Sequence, residues 1–125
     1  MSKKDLVRAA MTELFVHRDL SALDRYWDSD YVQHNPRMPS GLDFLKKMIP
    51  SLKPEFKYEP GLVIEDGDFV MIHGRYTGWG ERPMIGVDIF RVKGARLVEH
   101  WDVIQEELPV EKTVSGNAMF PINGT

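Results

Sequence analysis

The chain has 125 residues, a mass of 14.4 kDa and a net charge of −3 from 16 basic and 19 acidic residues. That length is one domain's worth, and 42% hydrophobic with 28% charged residues is an ordinary globular mixture. No run of Lys or Arg marks a nucleic-acid or anionic-membrane surface, and the absence of cysteine excludes disulfides, thiolate metal sites and a Cys nucleophile.

The first half has helical periodicity. From Lys4 to His17, Leu6, Ala10 and Leu14 form one i, i+4 row, with Val7, Met11 and Phe15 in the row beside it. Ser21 with Asp24 resembles a capping box and opens a second short helix that uses Leu23, Tyr26 and Trp27. Tyr31-Val-Gln-His-Asn-Pro36 reads as a loop, because Asn-Pro favours a turn. Ser40 opens a third helix carrying Leu42, Leu45, Ile49 and Leu52, and Pro50 and Pro54 bound its end.

The second half changes to period two. Strands are predicted over Phe56–Glu65, Phe69–Gly78, Met84–Lys93 and Arg96–Glu106, with turn signals between them. Short connections imply antiparallel hairpins. Helices followed by a meander define an α+β layout, with the helices on one face of a curved sheet. Residues 109–125 read as an extended arm docked through Met119 and Phe120. The N-terminus lacks an apolar signal region, and no run approaches the roughly 18 apolar residues of a membrane span. The expectation is a cytoplasmic protein, not bound to membrane or nucleic acid.

Polar residues that interrupt the alternation are the candidates for chemistry. Met84, Gly86, Asp88, Phe90 and Val92 share one strand face, as do Val98, His100, Asp102 and Ile104. Asp88 and Asp102 therefore sit among apolar neighbours, where desolvation favours a proton-transfer role, although a structural ion pair would give the same pattern. His73 shares a face with Phe69, Met71, Arg75 and Thr77, and matters only if it points the same way as the carboxylates. His34 and Asn35 offer hydrogen bonds to a carbonyl oxygen, or Asn35 only shapes its turn. His100-Trp-Asp102 has the spacing of a metal facial triad but would need His73 or His34 as third ligand, so no metal is expected. No Gly-x-Ser-x-Gly, Gly-x-Gly-x-x-Gly or Walker motif occurs, and no cofactor is expected.

The run Asp88-Ile-Phe-Arg-Val-Lys-Gly-Ala-Arg-Leu-Val-Glu-His-Trp-Asp102-Val-Ile-Gln105, with Tyr31-Val-Gln-His-Asn-Pro36 and Ser115-Gly-Asn-Ala-Met-Phe120, resembles the SnoaL-like polyketide cyclase family. That family belongs to the nuclear transport factor 2-like superfamily, and the resemblance covers nearly the whole chain as one domain, 1–125. It implies a conical barrel: a strongly bent, mostly antiparallel sheet around a pocket, closed by three N-terminal helices. It also implies cofactor-independent aldol-type cyclisation or isomerisation of a small apolar or aromatic carbonyl compound. The resemblance makes Asp102 the general acid/base, assigns substrate orientation to Asn35, and puts His34, His73 and His100 near the pocket with Phe90 in its wall. Asp88 stands where the cyclases often carry His. Relatives with other chemistry fit less well. Gly86 stands where the epoxide hydrolase needs Arg, and the first helix has Phe15 where ketosteroid isomerase uses Tyr. A non-catalytic ligand-binding cone and an interaction domain with a vestigial pocket remain as alternatives. A hollow cone in so short a chain leaves little core, which argues for a homodimer joined through the outer sheet face carrying Ile85, Val87, Ile89 and Trp101.

Overall fold

The computed structural model describes residues 1–123, so the last two residues of the expected arm lie outside the described residues. Helix α1 spans Lys3–Met11 and runs straight into one π-helical turn, Thr12–Val16. Ser2 caps it by accepting the Asp5 N–H at 3.2 Å. Both predicted rows of this helix are buried, with Val7, Ala10 and Leu14 fully enclosed. Helix α2 is Ala22–Tyr26 and helix α3 is Asp43–Ser51. Among the described residues no helix is long and apolar enough to cross a membrane.

Strand β1 is Trp27–Gln33, β2 Lys57–Asp66, β3 Phe69–Thr77, β4 Met84–Lys93 and β5 Arg96–Glu106. They form one five-stranded sheet in the order β1-β5-β4-β3-β2. The three meander pairings are antiparallel, whereas β1 lies parallel to β5. This is the expected α+β architecture, a mostly antiparallel sheet with helices on one face, and its sheet is open, with β1 and β2 as its two edges. One stretch differs from the sequence reading. Trp27 and residues 31–33, expected in a helix and a loop, belong to β1. The strand was hidden because Ser29 and Asp30 are exposed and the register shifts between Trp27 and Val32, which breaks the alternation.

Ser40 does not open the third helix. Gly41 takes φ +86°, and the Ser40 hydroxyl accepts the backbone N–H of Gln33 at 3.0 Å. Arg18, itself at φ +55°, donates to the carbonyls of Leu52, Lys53 and Phe56 at 2.8–3.2 Å. It thereby satisfies carbonyl groups at the end of α3 and ties that end to the first helix.

The inner sheet face, carrying Tyr58, Val63, Val70, Ile72, Tyr76, Phe90, Val92 and Leu97, packs against the helices as the core. In β5 a bulge at the Arg91/Val92 pairing puts Leu97 inside in place of Val98, and beyond it His100 and Asp102 keep the predicted face. The arm docks on the outer face. Phe120 is buried there, stacked on His73 at 5.7 Å and covered by the Arg75 guanidinium at 4.7 Å. Gly61 makes the room, since a Cβ on it would lie 3.0 Å from the Phe120 ring. Met119 accepts the Leu108 N–H through sulfur at 3.3 Å.

Leu14, fully enclosed where the helix meets the sheet, tests this packing. Leu14→Ala should cost about 2–5 kcal/mol in urea unfolding; a loss under about 1 kcal/mol would mean that the site collapses freely or is less enclosed than described.

Candidate active site

The register of β4 and β5 sets Asp88 directly opposite Asp102, and Phe90 opposite His100. Side chains two apart on a strand share a face, so all four point inward. The parallel pairing of β1 then puts Gln33 beside His100. Just beyond the strand, the Asn35 side chain reaches across β5 to Asp102.

Asp88 is 3% exposed and accepts from two directions. The Tyr76 hydroxyl donates to its Oδ2 at 2.6 Å, and His100 Nε2 lies 2.8 Å from its Oδ1. Two glycines let the tyrosine rings lie flat on the inner face. A Cβ on Gly86 would meet the Tyr76 ring at 3.0 Å, and one on Gly74 the Tyr58 ring at 2.8 Å. Asp102, with 6% of its side chain exposed, accepts from Asn35 Nδ2 at 2.7 Å through Oδ2 and lies 3.8 Å from His100 Nε2 through the same oxygen. Its Oδ1 has no hydrogen-bond partner among the described residues. Asn35 is held in turn, because its own Oδ1 accepts the Arg37 N–H at 2.8 Å, which directs Nδ2 at the carboxylate. Asn35 thus both shapes its turn and donates to Asp102.

These groups form the polar floor of a narrow cavity of about 30 Å³, room for little more than a water. Its walls are aromatic and aliphatic: Phe15, Trp27, Tyr31, Trp79, Phe90 and Met38 among others. Among the described residues no Lys or Arg lines it. Trp79, on the turn after β3, stacks on Tyr76 at 4.5 Å and forms part of the wall. The Trp27 indole N–H is buried without a hydrogen-bond partner.

Two expected residues lie elsewhere. His73 is opposite Val87 in the register, hence on the outer face under Phe120. His34 follows Gln33 and alternates outward, where it stacks on Trp101 at 4.7 Å and meets Glu99 at 2.7 Å. That contact, with Arg91, holds the Glu99 carboxyl below its ordinary value. Gln33 and Tyr76 went unrecognised in the sequence. The only signal for Gln33 was that reading 31–35 as a strand would put it two residues from Asn35, on one face.

Asp88, His100 and Asp102 each offer a ligand atom, all within 4.8 Å of one another. The residue that completes the His-x-Asp pair is therefore Asp88, not His73 or His34. A cation would have to replace the hydrogen between His100 and Asp88 and compete with the Asn35 amide, because the donor atoms are engaged with one another.

Known proteins can now be set beside this geometry. Residues 7–100 match the family model of the SnoaL-like domain, and the chain belongs to that family. The matched stretch contains Asn35, Asp88 and His100 and stops short of Asp102. Among solved structures, the chain is 20% identical to IdmH of Streptomyces antibioticus, described as a candidate polyketide cyclase, with a TM-score of 0.62 over 82% of this chain and 92% of that one. A protein of unknown function with a cystatin-like fold from Xanthomonas campestris is 20% identical with a TM-score of 0.72, covering 85% and 92%. AclR, a candidate hydroxylase from Streptomyces galilaeus, is 25% identical with a TM-score of 0.66, covering 84% and 90%. No curated protein matches the chain.

Burial pushes the hydroxyls of Tyr31, Tyr58 and Tyr76 well above their ordinary pKa of 10.0, and the charge of Asp88 adds to the effect. Tyr76 thus remains an O–H donor to Asp88. A folded state that keeps these protons while the unfolded chain loses them is fully stabilised below pH 10 and loses that stability as pH rises above it. Alkaline titration followed by circular dichroism and phenolate absorbance should show these three tyrosines ionising together with unfolding. Their ionisation near pH 10 in a still-folded protein would contradict the buried arrangement.

Proposed function

We propose that the protein is a cofactor-independent acid/base enzyme acting on a small, neutral, apolar or aromatic carbonyl compound. The observation that carries this reading is Asp102: one carboxylate oxygen is pinned by Asn35, and the residue lines an apolar cavity. A carboxylate so placed can take a proton from the carbon beside a carbonyl, and the electron pair of that C–H bond moves onto the carbonyl oxygen. One donor remains for the developing oxyanion, the second Nδ2–H of Asn35. Returning the proton to another carbon is isomerisation. Attack of the enolate carbon on a second carbonyl, with protonated Asp102 supplying the alkoxide its hydrogen, is aldol closure. Two acidic side chains and no cation in the cavity disfavour an anionic ligand. The SnoaL-like family and the candidate cyclase among the structural relatives support the same chemistry.

Homodimerisation accompanies this proposal. On the outer face Val103 is 68% and Met71 41% exposed, an apolar patch that the arm leaves uncovered. Sedimentation should show a dimer at micromolar concentration, and a stable monomer would remove that part of the reading.

Acetophenone in heavy water tests the chemistry. Exchange of its methyl hydrogens, followed by proton NMR, should run about 10²–10⁴-fold above buffer and fall to near the buffer rate in Asp102→Asn with the fold intact. Binding without exchange by the unaltered protein would favour the ligand-binding cone instead, and exchange unchanged in Asp102→Asn would end the Asp102 assignment.

A further inference from the structure

His100 is surrounded by defined partners. Asp88 and Phe90 face it from β4, Gln33 and Tyr31 from β1, and Asp102 from its own strand, while Tyr76 of β3 stands behind Asp88. Its Nδ1 lies 2.5 Å from the side-chain oxygen Oε1 of Gln33. An amide can present either oxygen or nitrogen, so the direction of this contact depends on what fixes the amide. Here the backbone fixes it. The Asn35 N–H donates to Gln33 Oε1 at 3.0 Å, and Gln33 Nε2 turns the other way to the sulfur of Met38 at 3.8 Å. Turning the amide over would set its NH₂ against the Asn35 N–H, donor against donor. The oxygen therefore faces His100, and an amide oxygen only accepts, so the hydrogen must be on Nδ1.

We propose that Gln33 is a positioning residue that keeps a hydrogen on His100 Nδ1, leaving Nε2 as the ring nitrogen that exchanges a proton with the carboxylates. Nε2 is 2.8 Å from Asp88 Oδ1 and 3.8 Å from Asp102 Oδ2, so one hydrogen is shared with the nearer carboxylate and a short movement offers it to the farther one. The chain of control starts in the backbone: Asn35 N–H orients Gln33, Gln33 orients the His100 hydrogen, and His100 connects the two carboxylates. The role of this shared hydrogen in turnover rests on the acid/base reading of Asp102, whereas the placement of the Nδ1 hydrogen does not.

Proton–nitrogen correlation NMR of the imidazole rings at neutral pH reads that placement without any substrate. In the unaltered protein His100 Nδ1 should resonate as a protonated nitrogen. Gln33→Glu, which keeps an accepting oxygen at the same reach, should preserve that signature. Gln33→Met, similar in length but unable to accept in the same way, should shift Nδ1 to the unprotonated position and leave the hydrogen on Nε2 facing Asp88. Asp102→Asn should leave Nδ1 protonated, so failure of the acetophenone chemistry and failure of this inference are separable. A bare Nδ1 in the unaltered protein overturns the proposal whatever the variants do. So does a Gln33→Met spectrum matching the unaltered one, or loss of the Nδ1 hydrogen in Gln33→Glu.

Discussion

The site depends on β1 lying parallel along β5. That pairing sets Gln33 beside His100 and carries the following turn across to Asp102. The meander alone would leave two carboxylates facing each other across an antiparallel pair, an arrangement that is destabilising when both are ionised. A histidine between them, and amides oriented by backbone N–H groups, convert this repulsion into a connected network. Each link has a cause: Arg37 N–H sets the Asn35 amide, Asn35 N–H sets the Gln33 amide, and a hydroxyl kept protonated by burial sets the far side of Asp88. Buried polar groups are tolerable when each finds its partner; among the described residues the Trp27 N–H, the Tyr58 hydroxyl and His73 Nδ1 find none.

The sheet separates two kinds of polar residue. On the inner face the network sits among aromatic rings. On the outer face Arg91 lies over Phe69 at 4.6 Å and pairs with Glu99, His34 stacks on Trp101, and Arg75 pairs with Glu107 over the docked arm. The outer groups are structural: ion pairs and cation–π contacts that hold the arm and one end of β5. Alternation assigns each residue to one side or the other, so His34 and Gln33, adjacent in sequence, lie on opposite faces.

Much of this was legible in the residues. Period-two alternation places Asp88 with Phe90 on one face of β4 and His100 with Asp102 on one face of β5, because β4 is regular and the bulge in β5 falls before His100. The rows of the first helix and the use of Phe120 by the arm could also be read from apolar spacing. What could not be read was pairing. Nothing in the local pattern distinguishes strand β1, with its solvent-facing Ser29 and Asp30, from a loop, since its partner is some 70 residues away in a parallel ladder. With β1 unrecognised, Gln33 has no visible role, and nothing in the local pattern opposes the place near the pocket that the resemblance implies for His34. His73 was misplaced for a related reason. Its face was read correctly, but whether that face is inner or outer depends on register against β4, which periodicity does not contain.

A crystal structure with acetophenone bound would test the central claim most directly. The account predicts that the inner cavity widens around the ketone, with its ring among Phe15, Trp79 and Phe90, the methyl carbon facing Asp102 and the oxygen toward Asn35. A ketone bound on the outer face, or one in the cavity with Asp102 turned away from it, would contradict the account.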